Sequence, residues 1–510
     1  MSSNATTPAP ENMSLADWQN LAESIQIESR LFINGEYVDA QAGKTFESVN
    51  PANGQLLANV AEASEADVDL AVVAAKAAWD SGVWRNMSPR DRMAVMQRFA
   101  DLVEENTAEL ALLDCLDIGK PISDMLSIDI PEVVVTLRYF AECIDKIEGA
   151  VTNTDPSVLH MIQREPLGVV GAISAWNYPL LMAVWKIAPA LAAGNTVVLK
   201  PAEQGPLGCI RLAQLFIDAG GPAGVLNVVN GPGQVVGKAL ALHNGVAKIS
   251  FTGSTGTGKQ IMIYAGQSNM KRVALETGGK SPQIFMPDLE DMDEAIEYAI
   301  GGIYDNSGQV CNAGSRFLVH ESIHDEFVSK FTAISQQMYQ PGDPLDPDTS
   351  LGPMVTHAHQ QRVLGKVAEG VAAGASLMYG GHPPEAEALK DGAYIQPGLF
   401  TGVENSMSIA QEEIFGPIAS VLKFSTEEQA LAIANDSIYG LAAGVWTNDL
   451  KTAHRMVKGI ESGLVWVNCF GDGDMTQPFG GYKQSGNTRD KSMECFLGYT
   501  QSKSAWIKLD

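Results

Sequence analysis

Between Gly168 and Glu276 the chain alternates between short apolar runs of strand length and longer stretches of helical periodicity. The apolar runs are Val169–Ala175, Thr196–Lys200, Val225–Val229, Lys248–Phe251 and Arg272–Leu275. The helical stretches between them are Leu180–Ala193, Leu207–Ala219, Val235–His243 and Gly258–Ala265. Strands that read as unbroken apolar runs are buried on both faces, and helices in each gap carry the chain back for another parallel strand. The pattern predicts a doubly wound α/β sheet, which binds ligands outside the carboxyl ends of its strands. A second alternating region from Ile284 to Asn468 predicts a second α/β domain, as 510 residues exceed what one core holds.

Upstream, Asn34-Gly35 marks the turn of a short hairpin over Leu31–Val38, and helices are expected over Glu65–Asp80, Ser88–Asn106 and Ala108–Asp117. At the other end Ser504–Leu509 reads as an isolated strand. A lone strand needs a partner, which suggests a sheet extended across a subunit interface.

Sixty acidic against 34 basic residues, a net charge of −26, disfavour nucleic acid or an acidic membrane surface as a partner. No run of 18 apolar residues suggests a transmembrane helix. The opening residues lack the basic start and apolar centre of a signal peptide and are too acidic for a transit sequence, so a cytoplasmic location with reduced thiols is expected. The six cysteines show no metal-ligand spacing, so no metal site is expected.

Cys311 differs from the other cysteines. It lies in the polar, glycine-bearing stretch Asn306–Arg316, where a thiol can ionise and attack, whereas Cys115, Cys143 and Cys209 lie in helical segments among apolar residues. The strand Lys248–Phe251 runs into Thr252-Gly-Ser-Thr-Gly-Thr-Gly-Lys259, whose backbone amides suit a phosphate, although the spacing matches neither common phosphate-loop pattern. A second glycine turn, Gly231–Gly237, is expected beside it on a neighbouring strand. Lys200 and Glu203 at a strand's carboxyl end can share ribose hydroxyls, or form a surface pair at a turn; in the first case Glu203 repels a 2′-phosphate. Asn177 is an oxyanion donor or a turn former. Glu276 is a general base or the partner of Lys280 in a salt bridge.

Seven segments together resemble the NAD(P)-dependent aldehyde dehydrogenase superfamily, over Leu31–Leu509. They are Ala175-Trp-Asn-Tyr-Pro, Leu199-Lys-Pro-Ala-Glu, Phe251-Thr-Gly-Ser-Thr, Glu276-Thr-Gly-Gly-Lys-Ser-Pro, Gly308-Gln-Val-Cys-Asn-Ala-Gly-Ser-Arg, Glu412-Glu-Ile-Phe-Gly-Pro and Pro478-Phe-Gly-Gly-Tyr-Lys-Gln-Ser-Gly. The resemblance implies a Rossmann-like dinucleotide-binding domain, a second α/β catalytic domain and a small β oligomerisation element. The boundaries it implies are an N-terminal extension at 1–28, an NAD-binding domain at 29–143 and 164–278, a catalytic domain at 279–485, and an oligomerisation element at 144–163 and 486–510.

It also implies that Cys311 is the nucleophile, that Asn177 holds the oxyanion and that Glu276 activates the water that releases a carboxylic acid. Coenzyme-A-acylating relatives lack a carboxylate at that position. Lys200 and Glu203 match adenosine-ribose binders, with Gly233 under the adenine. Gly253, Ser254 and Gly258 match the pyrophosphate turn. Glu413 matches the holder of the nicotinamide ribose, and Phe415 and Trp176 complete the cofactor positions. NAD is expected as the preferred cofactor, with NADP second.

Four segments look closest to bacterial polyamine-catabolic enzymes, which oxidise γ-glutamylaminobutanal, guanidinobutanal and similar aminoaldehydes; 3-hydroxypropanal and aryl-acetaldehydes are alternatives. The candidate substrate residues are Tyr178, Trp185, Asn312, Asp472 and Asp474. The two aspartates are ammonium anchors or simply a solvated turn. Thr277 and Asn312 depart from the residues commonest at their positions. A homodimer or homotetramer is expected. Two other readings stand beside this one: a structural use of the fold, which would not need Cys311, Asn177 and Glu276 together, and a thioester-forming acyltransferase or esterase, which would not need the cofactor residues.

Overall fold

The computed structural model describes residues 9–509. Two seven-stranded sheets dominate the fold. From edge to edge the first runs Arg272–Glu276, Lys248–Thr252, Val169–Ile173, Thr196–Lys200, Leu226–Val228, Leu31–Ile33, Glu36–Val38. Its first five strands are parallel, and the N-terminal hairpin closes the other edge antiparallel. Asn34 and Gly35 both take positive φ (54° and 83°), as the two-residue turn requires.

Alternate side chains of these strands feed two cores. Val170, Ala172 and Leu199 face a cluster with Phe99 and Phe216, whereas Val169, Ile173 and Val198 face one with Val68 and Val236. This two-sided burial is why the strands read as continuous apolar runs. The second sheet does the same, with Ile284, Leu318 and Leu422 on one face and Phe285, Phe317 and Val421 on the other.

Sheet order corrects one expectation. The strands preceding the two glycine turns, Leu226–Val228 and Lys248–Thr252, are not neighbours; Thr196–Lys200 and Val169–Ile173 lie between them. After Leu226–Val228 the chain crosses back over the sheet, so the crevice where strand order reverses opens between Val169–Ile173 and Lys248–Thr252. Trp176 and Asn177 follow one of those strands, Gly253 and Ser254 the other.

The helix after Lys248–Thr252 spans Thr255–Gln267, three residues earlier than periodicity suggests, because the Ser254 hydroxyl caps the Thr257 N–H. The three expected upstream helices form over Glu65–Ser81, Pro89–Glu105 and Thr107–Ile118. The acidic N-terminal segment contains the helix Leu15–Ser24, which buries Trp18; residues 1–8 of the expected extension lie outside the described residues.

The C-terminal strand corrects a second expectation. It spans Thr500–Lys508 and pairs antiparallel with Val158–Pro166 of the same chain, in a three-stranded sheet with Ala150–Val151. The partner went unseen because the strand's pairing is with residues more than 300 positions away, which no local pattern reports. Its outer edge is unpaired among the described residues, with Trp506 61% and Leu509 61% exposed.

Candidate active site

The carboxyl ends of the first sheet face the amino ends of the second across two connected cavities. One, about 810 Å³, is lined by the strand ends and both glycine turns of the first sheet. The other, about 660 Å³, opens between helices and the Gly471–Gln477 loop. Asn177, Met182, Trp185, Cys311 and Phe479 line both. Cys311 thus stands where the two spaces meet.

The loop that presents Cys311 is locked. Asn306, Ser307 and Gly308 are successively left-handed (φ 48°, 56° and 69°), a costly run for two non-glycine residues. Neighbours over-determine it. The Asn306 amide donates to the Asn177 carbonyl at 2.8 Å, the Ser307 hydroxyl to the Gly352 carbonyl at 2.7 Å, and the Gln309 side chain both donates to Asn306 (3.1 Å) and accepts from the Val355 N–H (2.9 Å). A Cβ on Gly308 would stand 2.3 Å from the Gly416 carbonyl oxygen, so only glycine fits. Asn306, Ser307 and Gln309 went unremarked in the sequence, where a polar stretch of this kind gives no sign that it is buried.

Asn177 is 3% exposed, and its amide donates to the Gln309 carbonyl at 2.8 Å. One N–H is spent on orientation; the second remains for a ligand. The turn-forming and oxyanion readings are therefore compatible at this residue. Burial, then the charges of Glu413 and Glu276, push the Cys311 thiol up to about 12, so it rests protonated in this state.

Glu276 is 3% exposed and neither carboxyl oxygen has a hydrogen-bond partner. The salt bridge with Lys280 does not form: the Lys280 ammonium is itself buried without a partner. Burial first, then the Asp490 carboxylate, hold the Glu276 pKa well above the ordinary carboxylate range, opposed by Lys186 and Arg489. Lys186 and Asp490 form a buried ion pair at 3.0 Å beside it. A carboxyl group so placed holds its proton more tightly than an ordinary carboxyl group and, once ionised, is free to take one. The segment Gly480–Gly486 packs over it: a Cβ on Gly480 would lie 2.5 Å from its Oε1. Thr277 braces the same segment, its hydroxyl donating to the Gln484 carbonyl at 2.7 Å.

The larger cavity suits a dinucleotide. The Lys200 ammonium, 2% exposed, donates to the Pro201 carbonyl (2.8 Å) and lies 3.4 Å from Glu203, which leaves it donor capacity. The other Glu203 oxygen accepts from the Gly233 N–H at 2.5 Å, which ties the end of Thr196–Lys200 to the glycine turn after its neighbour Leu226–Val228. Gly253, Ser254, Gly256 and Thr257 open the N-terminus of Thr255–Gln267 onto the cleft, and a Cβ on Gly256 would meet nothing within 4 Å. Gly258 faces Thr277, where a Cβ would come within 3.1 Å of Cγ2. The Thr252 hydroxyl, buried and unpartnered, points up a further donor.

Glu413 accepts from the Gly279 N–H at 3.1 Å, and burial raises its carboxyl to about 7. Phe415 (φ 58°) meets Trp176 edge-on at 5.3 Å. His359 and Arg362, both unforeseen, hold it there. The Arg362 guanidinium donates to His359 Nδ1 at 3.3 Å, so His359 Nε2 donates to the Phe415 carbonyl at 2.7 Å. Burial lowers His359 to about 4, consistent with this neutral tautomer.

Tyr178, Trp185 and Asn312 line the smaller cavity, as expected. Asp472 and Asp474 do not. Gly471 and Gly473 reach it instead, while the Asp474 carboxylate turns back to the Thr476 hydroxyl (2.6 Å) and Asp472 accepts from Tyr298 at 3.3 Å. In a loop of alternating glycine and aspartate the glycines face inward and the exposed carboxylates face water, so the solvated-turn reading holds here. The charged groups that do line this cavity include Glu132, Glu294, Glu297 and Lys491, none of which the sequence singled out.

The profile of the aldehyde dehydrogenase family matches residues 37–505. The chain belongs to the aldehyde dehydrogenase family. It is 49% identical over 496 residues to the NADP/NAD-dependent aldehyde dehydrogenase PuuC of Escherichia coli, covering 97% of this chain and 99% of that one. Among solved structures, an indole-3-acetaldehyde dehydrogenase complexed with NAD+ superposes with a TM-score of 0.96 at 52% identity, covering 98% of this chain and 100% of that one. The γ-glutamyl-γ-aminobutyraldehyde dehydrogenase of Burkholderia cenocepacia superposes with a TM-score of 0.95 at 50% identity, over 98% and 100%. As an aldehyde dehydrogenase, this chain has a partly exposed loop thiol, Cys311, where the cofactor cleft meets the smaller cavity.

Proposed function

We propose that this aldehyde dehydrogenase oxidises an aminoaldehyde, of the 4-(γ-glutamylamino)butanal or 4-guanidinobutanal type, to its carboxylic acid with NAD as the preferred cofactor and NADP as the second. The observation that carries the chemistry is Cys311 at the junction of a dinucleotide-shaped cleft and a second cavity, with an unpaired Glu276 on the cleft wall.

In this reading the aldehyde enters by the smaller cavity and Cys311 Sγ adds to its carbonyl carbon as the thiol proton passes to water. The new oxyanion takes hydrogen bonds from the free N–H of Asn177 and the backbone N–H of Cys311. Lys200 and Glu203 hold the adenosine ribose over Gly233, the Gly253–Gly258 turn with Ser254 holds the pyrophosphate, and Glu413, Phe415 and Trp176 hold the nicotinamide end. Bound there, the cofactor supplies the hydride acceptor that converts the thiohemiacetal to a thioester. Ionised Glu276 then takes a proton from water as the water adds to the thioester carbon; the acid leaves and Cys311 regains a thiol. Asp490 and Lys186 set how readily Glu276 ionises.

The aminoaldehyde class draws support from PuuC and from the Burkholderia cenocepacia enzyme named above. NADH formation with the purified chain across γ-glutamylaminobutanal, guanidinobutanal, 3-hydroxypropanal, an aliphatic aldehyde and an aryl-acetaldehyde tests it; a preference for the last three overturns the substrate class. For the cofactor, Glu203→Gln removes the charge that opposes a 2′-phosphate, and KM for NADP is expected to fall by roughly tenfold with little change for NAD. An unchanged NADP KM contradicts the ribose assignment.

The first sheet with its helices is the proposed dinucleotide domain, the second the catalytic domain, and the three-stranded sheet the oligomerisation element of a cytoplasmic homodimer or homotetramer. The open edge of Thr500–Lys508, with exposed Trp506, Ile507 and Leu509, supports the last assignment. A chain ended after Tyr499 is expected to sediment as a monomer where the full chain sediments as a dimer or larger. A full-length monomer contradicts it.

A further inference from the structure

Lys491 is 8% exposed and lines the smaller cavity. The other buried lysines are engaged, with the exception of Lys280, which lines neither cavity. Lys120 pairs with Asp129 at 2.5 Å, Lys186 with Asp490 at 3.0 Å, and Lys248 donates to the Gly498 carbonyl at 2.9 Å. Lys491 has no ion pair within 4.0 Å and no hydrogen bond from its ammonium among the described residues; its nearest aromatic companion is the Trp185 ring at 5.8 Å. Trp185 lines the same cavity and carries a buried, unpartnered indole N–H. The backbone is left-handed at both Lys491 and Ser492 (φ 60° and 57°), so the chain accepts an unfavourable conformation at this point. Burial lowers the Lys491 pKa, opposed by Glu132 and Asp474.

A largely buried lysine whose ammonium faces open space, with Glu132 and Asp474 acting on it only from beyond 4.0 Å, has donors free for a ligand. The cavity also carries the opposite sign, at Glu132 near Lys491 and at two further glutamates. Glu294 and Glu297, both exposed, stand on successive turns of the helix Met292–Tyr304 along the same lining. An aldehyde with a purely cationic tail would meet Lys491 unpaired, and a purely anionic one would meet the glutamates. A tail bearing both charges satisfies each.

We propose that Lys491 is the carboxylate anchor for the distal end of the aldehyde and that Glu294 and Glu297 take an ammonium beside it, so that the cavity selects aldehydes that end in an α-amino-acid head. The assignment rests on the reading of this cavity as the aldehyde's path to Cys311. It favours a γ-glutamyl tail over a guanidino tail, and it makes Lys491 a specificity residue with no part in the bond-making steps.

The test uses a ligand without an aldehyde, so that it stands apart from turnover. N-butyl-γ-glutamylamide carries the head and chain; N-butylglutaramic acid lacks only the amino group; N-butylacetamide lacks both charges. In calorimetric titration of the full chain, Lys491→Met is expected to weaken the γ-glutamylamide about tenfold to a hundredfold, the size of one charge-assisted contact. N-butylacetamide should be unaffected. Lys491→Arg should keep the wild-type affinity to within about threefold, since it retains the charge. The Glu294→Gln, Glu297→Gln double variant should bind the γ-glutamylamide and its deaminated analogue alike. Equal losses for charged and uncharged ligands in Lys491→Met, or no binding of the γ-glutamylamide to the wild type at millimolar concentration, would overturn the anchor. Head-dependent binding in a chain that oxidises no aldehyde would instead sink the proposed function and leave the anchor standing.

Discussion

Cys311→Ala abolishes NADH formation with every aldehyde, a loss on the order of 10⁴-fold or more, because no other group can form the covalent intermediate. The remaining cysteines offer no substitute: Cys115, Cys143, Cys209 and Cys495 are buried away from the junction, and Cys469 lines neither cavity. Binding of NAD is expected to survive, since the residues proposed to hold it lie on the first sheet and on the Glu413–Phe415 turn. Folding should also survive. The loop is held by Asn306, Ser307 and Gln309, and the Cys311 side chain takes no part in those hydrogen bonds. Thermal unfolding of the variant should therefore match the wild type while its activity does not. Residual turnover above a few per cent would remove Cys311 from the chemistry.

Glu276→Gln separates the two halves of the reaction. The first equivalent of NADH should still appear as a burst, because addition of the thiol and oxidation of the adduct do not require Glu276 to accept a proton from water. Steady-state turnover should fall about 10²- to 10⁴-fold, the range for loss of a positioned general base. The pH dependence carries the same signature. Burial and Asp490 raise the Glu276 pKa, and the ionised form is the active one, so the wild-type deacylation rate rises as pH climbs through that raised value. In the variant that rise disappears. Asp490→Asn should shift the wild-type profile towards lower pH, since it removes the charge that raises Glu276 and leaves Lys186 unpaired beside it. A pH profile identical in wild type and Glu276→Gln would assign the base elsewhere.

Local patterns made the strands, the helices and the chemistry-bearing loop residues legible. Apolar runs of strand length are a direct consequence of two-sided burial; Asn177 and Glu276 fall at or just past the carboxyl ends of such runs, where ligands meet an α/β sheet, and Cys311 lies in the polar loop ahead of Arg316–His320. What stayed hidden depends on contacts between distant segments. The two glycine turns line one cavity although their strands are not neighbours, and only sheet order reveals this. The tail strand finds Val158–Pro166, hundreds of residues away. Asp472 and Asp474 belong to the right loop but point outwards, because a turn's direction sets which of its residues face the cavity. Lys491 points inwards for the same kind of reason: its aim follows from a left-handed backbone held by the surrounding fold, and a lysine in a polar tail segment carries no sequence mark of burial.

The central claim is an acyl group carried on Cys311 and released by Glu276. Intact-mass and peptide-level mass spectrometry of the Glu276→Gln chain, quenched after mixing with NAD and γ-glutamylaminobutanal, measures it directly. The account predicts an adduct of the aldehyde's mass less two hydrogens, confined to the peptide that contains Cys311 and absent from Cys311→Ala. An unmodified Cys311 in a quenched sample that has already produced its equivalent of NADH would contradict it.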